Sequence, residues 1–272
     1  MTARAVRYVL SHTGVSLSVL VLLIVLGWVL VPGWFTGASA TEGVIADRLR
    51  PPSPRHLFGT DELGRDVYAR VVHGAALSLG ASVAAIGIAF VAGTVLGLLA
   101  GFFGGWFGTG IMRVVDIMLA FPPVLLSLLV ISALGIGTQN IAIAVGITSI
   151  AGFTRVMRAS VLRVRTAVYV EAAILYGTRW WRILPRYVLP AAIGPVLALA
   201  ALDFGLVVLA ISSLSFLGYG QPPPAPEWGA LVADGRDHLA TAWWLSTLPG
   251  LTVAVVVLAA NRLSRVVERS TW

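Results

Sequence analysis

Residues 78–102 read SLGASVAAIGIAFVAGTVLGLLAGF, twenty-five positions without one charged side chain. A helix needs about 20 mostly apolar residues to cross the hydrocarbon of a bilayer, so this run is long enough to span. It is rich in small residues: Gly80, Ala81, Ala84, Ala85, Gly87, Ala92, Gly93 and Gly97. Small residues let membrane helices approach closely, because packing rather than the hydrophobic effect joins helices in lipid.

Working outward, comparable apolar runs recur. The first spans Val15 to Val31, after Arg4 and Arg7. It exceeds the usual ~7–15-residue core of a signal peptide. A retained first helix is therefore expected, although Ala38-Ser39-Ala40 resembles a cleavage site. A third run covers about 113–134 and is broken at Pro122-Pro123; the fourth covers about 138–157, the fifth 191–217 and the sixth 245–261. The expected fold is an all-α membrane protein of about six transmembrane helices. Residues 1–77 hold the tail, the first helix and an outer loop. Residues 78–268 hold a core of five helices, with a basic loop at 158–190 and an outer hairpin at 218–243.

Composition agrees. Of 272 residues, 58% are hydrophobic and only 11% charged, against about a quarter charged in soluble domains. The net charge is +7, and every basic residue is Arg. A phosphate-gripping P-loop requires a Lys, so any ATP driving this chain is hydrolysed by another polypeptide. The Arg residues are scattered between apolar runs, which suits anionic lipid and partner loops better than nucleic acid. Without Cys there are no disulfides, no thiolate chemistry and no Cys-ligated metal.

The Arg distribution sets an orientation. Two lie in the N-terminal tail, seven in 155–190 and three in the C-terminal tail. With six spans these segments share one side, which the positive-inside rule makes cytoplasmic. Five Arg fall in the interval 34–77, on the other side, together with Glu42, Asp47, Asp61, Glu62 and Asp66; longer loops obey the rule less well. Trp28, Trp34, Trp106, Trp228, Trp243 and Trp244 lie near span ends, where interfacial anchors are expected.

The most informative polar stretch begins Tyr169-Val170-Glu171-Ala172-Ala173-Ile174-Leu175-Tyr176-Gly177 and ends at Leu189-Pro190. Its residues predict a short helix, a bend at Gly177 and a second short helix. Arg179, Arg182 and Arg186 give the second part a basic face; Trp180, Trp181, Ile183 and Leu184 give it an apolar one. Such a segment lies on the membrane surface, either as a plain anchor or as a docking element. Glu171-Ala172-Ala173, Gly177 and Leu189-Pro190 resemble the EAA loop of ABC importer permeases. The resemblance implies a type I importer permease architecture and a coupling helix that docks into a cleft of the ATPase subunit. Glu171 and Gly177 would be its docking and bending residues, with Ala172, Ala173, Arg179, Arg182, Leu189 and Pro190 beside them. Pro185 and Tyr187 depart from the family pattern, which often has His where Tyr187 stands.

Two further stretches narrow the likeness. His56 to Arg70, with Gly59, Thr60, Asp61, Gly64, Arg65 and Asp66 at its centre, is similar to the segment before the second span of the "C-type" permeases of dipeptide, oligopeptide and nickel importers. Ser215 to Pro223, followed by Glu227-Trp228-Gly229, is similar to their stretch after the fifth span. Asp116 and Phe121-Pro122-Pro123 extend the likeness over about residues 55–268. The resemblance implies a second permease, two P-loop ATPase subunits that bind ATP and Mg, and an extracytoplasmic binding protein as partners, in a bacterial cytoplasmic membrane. No cofactor is expected in this chain. Read without the resemblance, the 56–70 stretch is a compact loop tied by ion pairs that could cap an outer mouth.

Asp203 and Asp116 are the acids inside the spans. A carboxylate in a spanning helix costs about 2.5–3.5 kcal/mol on insertion scales, which marks both Asp203 and Asp116 as pathway candidates. Asp116 stands one turn from Arg113, and an i,i+3 pair is its expected use. The competing reading is a self-sufficient secondary transporter or channel. Such carriers often show inverted repeats, and no repeat between the two halves is evident. A membrane enzyme lacks support: the chain has neither a His-Glu-x-x-His nor a Gly-x-Ser-x-Gly motif.

Overall fold

The structure, a computed structural model, describes residues 13–270; Arg4 and Arg7 lie outside the described residues. Those residues are helical apart from their connections. In chain order the helices are α1 (Thr13–Leu30), α2 (Val67–Phe103), α3 (Gly105–Ala120), α4 (Pro123–Leu134), α5 (Thr138–Val164), α6 (Val168–Leu175), α7 (Trp180–Ile183), α8 (Leu189–Ala192), α9 (Gly194–Leu214), α10 (Trp228–Asp234) and α11 (Trp244–Ser270). Widened π turns follow α7 and α9. Among the described residues five helices are long and apolar enough to cross a membrane, α1, α2, α5, α9 and α11. The pair α3–α4 passes the same test as one bent unit. The expected six spans are these five and the bent pair.

The 100° bend between α3 and α4 follows from Phe121-Pro122-Pro123. A residue before proline is driven out of the helical region, and Phe121 is extended at φ −93°, ψ 143°. Pro123 then opens α4, where a missing N–H does no harm. At the other end of α3, Gly104 and Gly105 both take positive φ and separate it from α2.

Helix α2 starts earlier than hydropathy predicts, at Val67 instead of Ser78. The reason is a cap. Asp66 Oδ1 accepts the Ala69 amide at 2.9 Å, the bond an N-cap side chain makes to the third helical residue. Its other oxygen, Oδ2, meets His56 Nδ1 at 2.9 Å. Polar residues inside the first turns, including Arg70, hide this start from an apolarity count.

The chain divides into two compact units. Unit A comprises residues up to Val83, Ile131–Ala142 and Phe204 onward; unit B comprises Ala84–Val130 and Ile143–Asp203. Unit A has a core of Val25, Val67, Val71, Val208, Trp228 and Trp244 with their neighbours. Here α1 packs along α11. Trp228 and Trp244 are buried, which corrects their reading as interfacial anchors: the Trp228 indole N–H donates to the Val71 carbonyl at 2.9 Å. Trp34 and Trp106 are exposed, and Trp243 half-exposed, as anchors would be.

Unit B is built on a glycine row. A Cβ at Gly93, Gly97 or Gly101 would strike Phe153, Met157 or Val161 of α5 respectively. Those three large residues share the same four-residue spacing, so the two backbones lie against each other with one row filling the other's groove. Gly80 and Gly87 face open space instead. The core of this unit joins Phe153, Met157 and Val161 to Val170, Ile183, Leu184 and Val188.

Candidate functional site

Two polar regions stand out, one in each unit. In unit B the segment from α6 to α8 has the predicted form. Val170 and Ala173, one turn apart, are buried, as are Ile183, Leu184 and Val188. Glu171 lies on the opposite, exposed face of α6, in its first turn, where a carboxylate is favoured by the helix dipole. Ala172 is partly buried beside it.

Gly177 closes α6. It has φ +72°, its amide donates to the Ile174 carbonyl at 2.9 Å, and the Thr178 amide donates to the Ala173 carbonyl at 3.0 Å. These are the paired bonds of a Schellman cap with glycine at the left-handed position. Nothing lies within 4 Å of the position of an added Cβ, so backbone conformation alone selects glycine here.

The cap turns the chain and leaves apolar side chains outside. Leu175 is 87% exposed and Tyr176 90%. Val168 is exposed nearby, and Trp180 and Trp181 are half-exposed. Arg179 lies over the Trp181 ring at 5.0 Å, while Arg179 and Arg182 are both exposed. Trp180 is not free of the unit: it meets Phe103 edge-on at 5.3 Å. Thus of the four predicted apolar-face residues, Ile183 and Leu184 are buried, whereas the two Trp residues straddle the surface. Leu189 packs partly against the same core and Pro190 lies in the first turn of α8. Arg165, just before α6, donates to the Gly101 carbonyl at 3.0 Å and so ties the loop to the end of α2.

In unit A the predicted outer motif folds onto itself. Asp61 Oδ1 accepts the amides of Leu63 and Arg65, each at 2.9 Å. Its Oδ2 accepts from Arg65 Nε at 2.6 Å. Thr60 is fully buried: it accepts the Arg50 amide at 2.8 Å, donates to the Asp47 carbonyl, and its carbonyl accepts from the Trp244 indole at 3.3 Å. Gly59 combines φ +72° with a close approach, since a Cβ would stand 2.6 Å from the Arg50 carbonyl. Gly64 likewise has φ +71° and presses on Val44. Arg70, 3% exposed, donates to the Ala40 carbonyl at 3.2 Å and lies 3.8 Å from Asp61.

The stretch after α9 closes on the same unit. Instead of an uninterrupted hairpin it carries the helix α10. Glu227, fully buried just before it, accepts from the Thr138 hydroxyl at 3.3 Å. Thr138 in turn accepts the Gln221 amide at 3.1 Å. Burial raises the Glu227 carboxyl above its ordinary value, against hydrogen bonds that lower it. The Trp228 amide donates to Ser78 Oγ at 3.1 Å. In the sequence Glu227 stands within a motif with nothing that singles it out. The one available signal was an acid directly before a Trp-Gly pair that could seal it.

The two acids in the spans have different surroundings. Asp116 does not pair with Arg113: its Oδ1 accepts from Arg155 Nη2 of α5 at 2.7 Å, with both side chains more than half exposed. Position along one helix could not reveal a partner 39 residues away. Asp203, midway along α9, is half-buried and makes no hydrogen bond or ion pair among the described residues.

Comparison with known proteins adds the family frame. Residues 93–272 match the family described as "Binding-protein-dependent transport system inner membrane component". The dipeptide transport system permease protein DppC of Alkalihalophilus pseudofirmus is 37% identical over 91% of this chain and 83% of its own length. The glutathione transport system permease protein GsiD of Pectobacterium atrosepticum is 36% identical over 94% of this chain and 85% of its own. Among solved structures, a chain of the inward-facing MetNI methionine ABC transporter superposes with a TM-score of 0.55 at 18% identity. It covers 72% of this chain and 95% of that one.

Proposed function

The chain belongs to the family of inner membrane components of binding-protein-dependent transport systems and is a multi-pass permease component of an ABC importer; on that premise we propose that it carries di- or oligopeptides. Similar proteins are named for dipeptide and for glutathione transport, and a short peptide is the chemistry these share. Its partners are a second permease, two separate P-loop ATPase subunits that bind ATP and Mg, and an extracytoplasmic binding protein. The chain holds no ATPase site of its own. Residues 78–268 form the permease core.

The observation that carries the coupling role is the Schellman turn at Gly177, which leaves Leu175 and Tyr176 almost wholly exposed. Apolar side chains on a loop beside Glu171, Arg179 and Arg182 suit a cleft on a partner, where the apolar pair is covered and the charges fix register. Closure of the ATPase pair on ATP would draw this loop. The buried residues Val170, Ala173 and Ile183 would pass the movement into unit B. The Arg distribution supports a cytoplasmic side for this loop and for both termini. Residues 56–70 and 218–243 then face the binding protein. Asp203, without a partner among the described residues, supports a wet passage beside α9.

The test is co-purification and coupled turnover. The chain is tagged, expressed with the neighbouring genes of its source, and solubilised gently. An ATPase and a second permease should co-purify. Glu171→Ala combined with Gly177→Pro should release the ATPase or abolish peptide-stimulated hydrolysis. A chain that purifies alone and moves solute without ATP overturns the reading.

A further inference from the structure

Within unit A, α1 and α11 enclose a groove of about 670 Å³. Its walls are apolar, with Leu17, Val21, Val255 and Leu258 among them; its end is basic, with Arg262 and Arg265. Neither Arg meets a carboxylate among residues 13–266, whose side chains the structure describes. The guanidinium of Arg262 lies across the backbone of α1 at Gly14, where a Cβ would come within 2.5 Å of its Cζ. The absence of a side chain at Gly14 therefore makes the room this cation occupies.

We propose that this groove binds one anionic phospholipid, its acyl chain along the apolar wall and its phosphate between Arg262 and Arg265. Three arguments support the choice. First, α1 and α11 are both membrane-spanning by length and composition, and Leu17 and Leu258 are exposed on them, so acyl chains are the solvent of this wall. Secondly, two guanidinium groups at one end of an apolar groove match a phosphate diester on an acylated glycerol. Each presents a planar fork of donors suited to phosphate oxygens, and basic pockets between spanning helices are a recurrent headgroup site. Thirdly, the basic end coincides with the start of α1 and the last turns of α11, where a headgroup lies and an acyl tail does not. The proposal needs the chain to sit in a bilayer but not any particular cargo.

The importer complex would be purified in mild detergent and incubated with phosphatidylglycerol or phosphatidylcholine. Bound lipid per copy would then be counted by native mass spectrometry. The expected result is one retained phosphatidylglycerol per copy in preference to phosphatidylcholine. Arg262→Gln with Arg265→Gln should lower phosphatidylglycerol affinity by roughly 30-fold, from about 1 kcal/mol per basic residue. Arg262→Lys with Arg265→Lys should keep most of it. Leu17→Trp with Leu258→Trp keeps both charges and fills the exposed wall; it should also expel the lipid. Should the Gln pair not assemble, the Lys and Trp pairs carry the comparison. Equal retention of the two lipids, no effect of the Trp pair, or displacement by soluble glycerol 3-phosphate as effective as by lipid would each overturn the proposal.

Discussion

In unit A the polar groups turn inward. Thr60, Arg70 and Glu227 are buried, and backbone and side-chain atoms of the same unit meet them. In unit B the loop at 168–182 does the reverse: it turns Leu175 and Tyr176 outward and leaves them uncovered. A buried polar network is expensive unless satisfied, and rigid once satisfied. An exposed apolar pair is unsatisfied by the chain itself. The contrast teaches that unit A meets most of its buried polar groups from within, leaving Arg70 Nε and Glu227 Oε1 without a hydrogen bond, whereas the 168–182 loop leaves an apolar pair that its own unit does not cover.

Mutations can break this contrast or sharpen it. The largest effect is expected at Trp228, fully buried in unit A. Trp228→Ala should cost about 3–5 kcal/mol, read as loss of stable monodisperse protein and a lowered melting temperature in detergent. Next comes the floor of unit B. Gly97→Leu places side-chain atoms against Met157 and the Thr154 carbonyl, and overpacking costs about 1–3 kcal/mol; the melting temperature should fall by the corresponding amount. Leu175→Ala with Tyr176→Ala should lower coupled transport about tenfold, which is about 1.4 kcal/mol. Melting of the isolated chain should stay within about 0.5 kcal/mol of wild type. A large stability loss in that pair would show the loop to be structural and erase the contrast.

Glu227 gives a pH test confined to unit A. Its folded-state carboxyl is raised by burial, so the folded state holds its proton more tightly than the unfolded chain does. Stability from this group is full below the ordinary carboxylate value and is lost as pH rises through the raised folded one. Glu227→Gln should flatten that decline in a series of melts at different pH. The smallest effect belongs to the exposed Asp116–Arg155 pair of unit B. Arg155→Gln should shift melting by no more than about 1 kcal/mol.

Much of this was legible in the sequence, and the limits are physical. Hydropathy finds spans because lipid exposure demands apolarity, and Pro122-Pro123 announces a bend because proline constrains its predecessor. The turn at Gly177 was legible from a glycine after a run of helix formers. The true start of α2 was not, because Asp66 acts as a cap only once its side chain folds back on Ala69. Nor was the partner of Asp116, since a residue pair 39 positions apart is made by packing and not by helical period. Glu227 stayed hidden because a carboxylate is ordinarily a surface group; its burial depends on Thr138, Gln221 and Trp228 closing over it.

The glycine row of α2 has an entropic side. In lipid, apolar burial does little to hold helices together, so whatever freedom is lost on contact weighs more heavily. Gly93, Gly97 and Gly101 have no rotamers to freeze, whereas a Met or Gln at such a contact would forfeit up to about 1.5–2 kcal/mol. Glycine does cost backbone freedom in a helix, about 0.5–1 kcal/mol per residue. A spanning segment, however, is already helical before it meets its neighbour, because lipid leaves its backbone no other partner. That cost therefore falls on insertion and not on association, and α2 reaches α5 with almost no disorder left to surrender along that line.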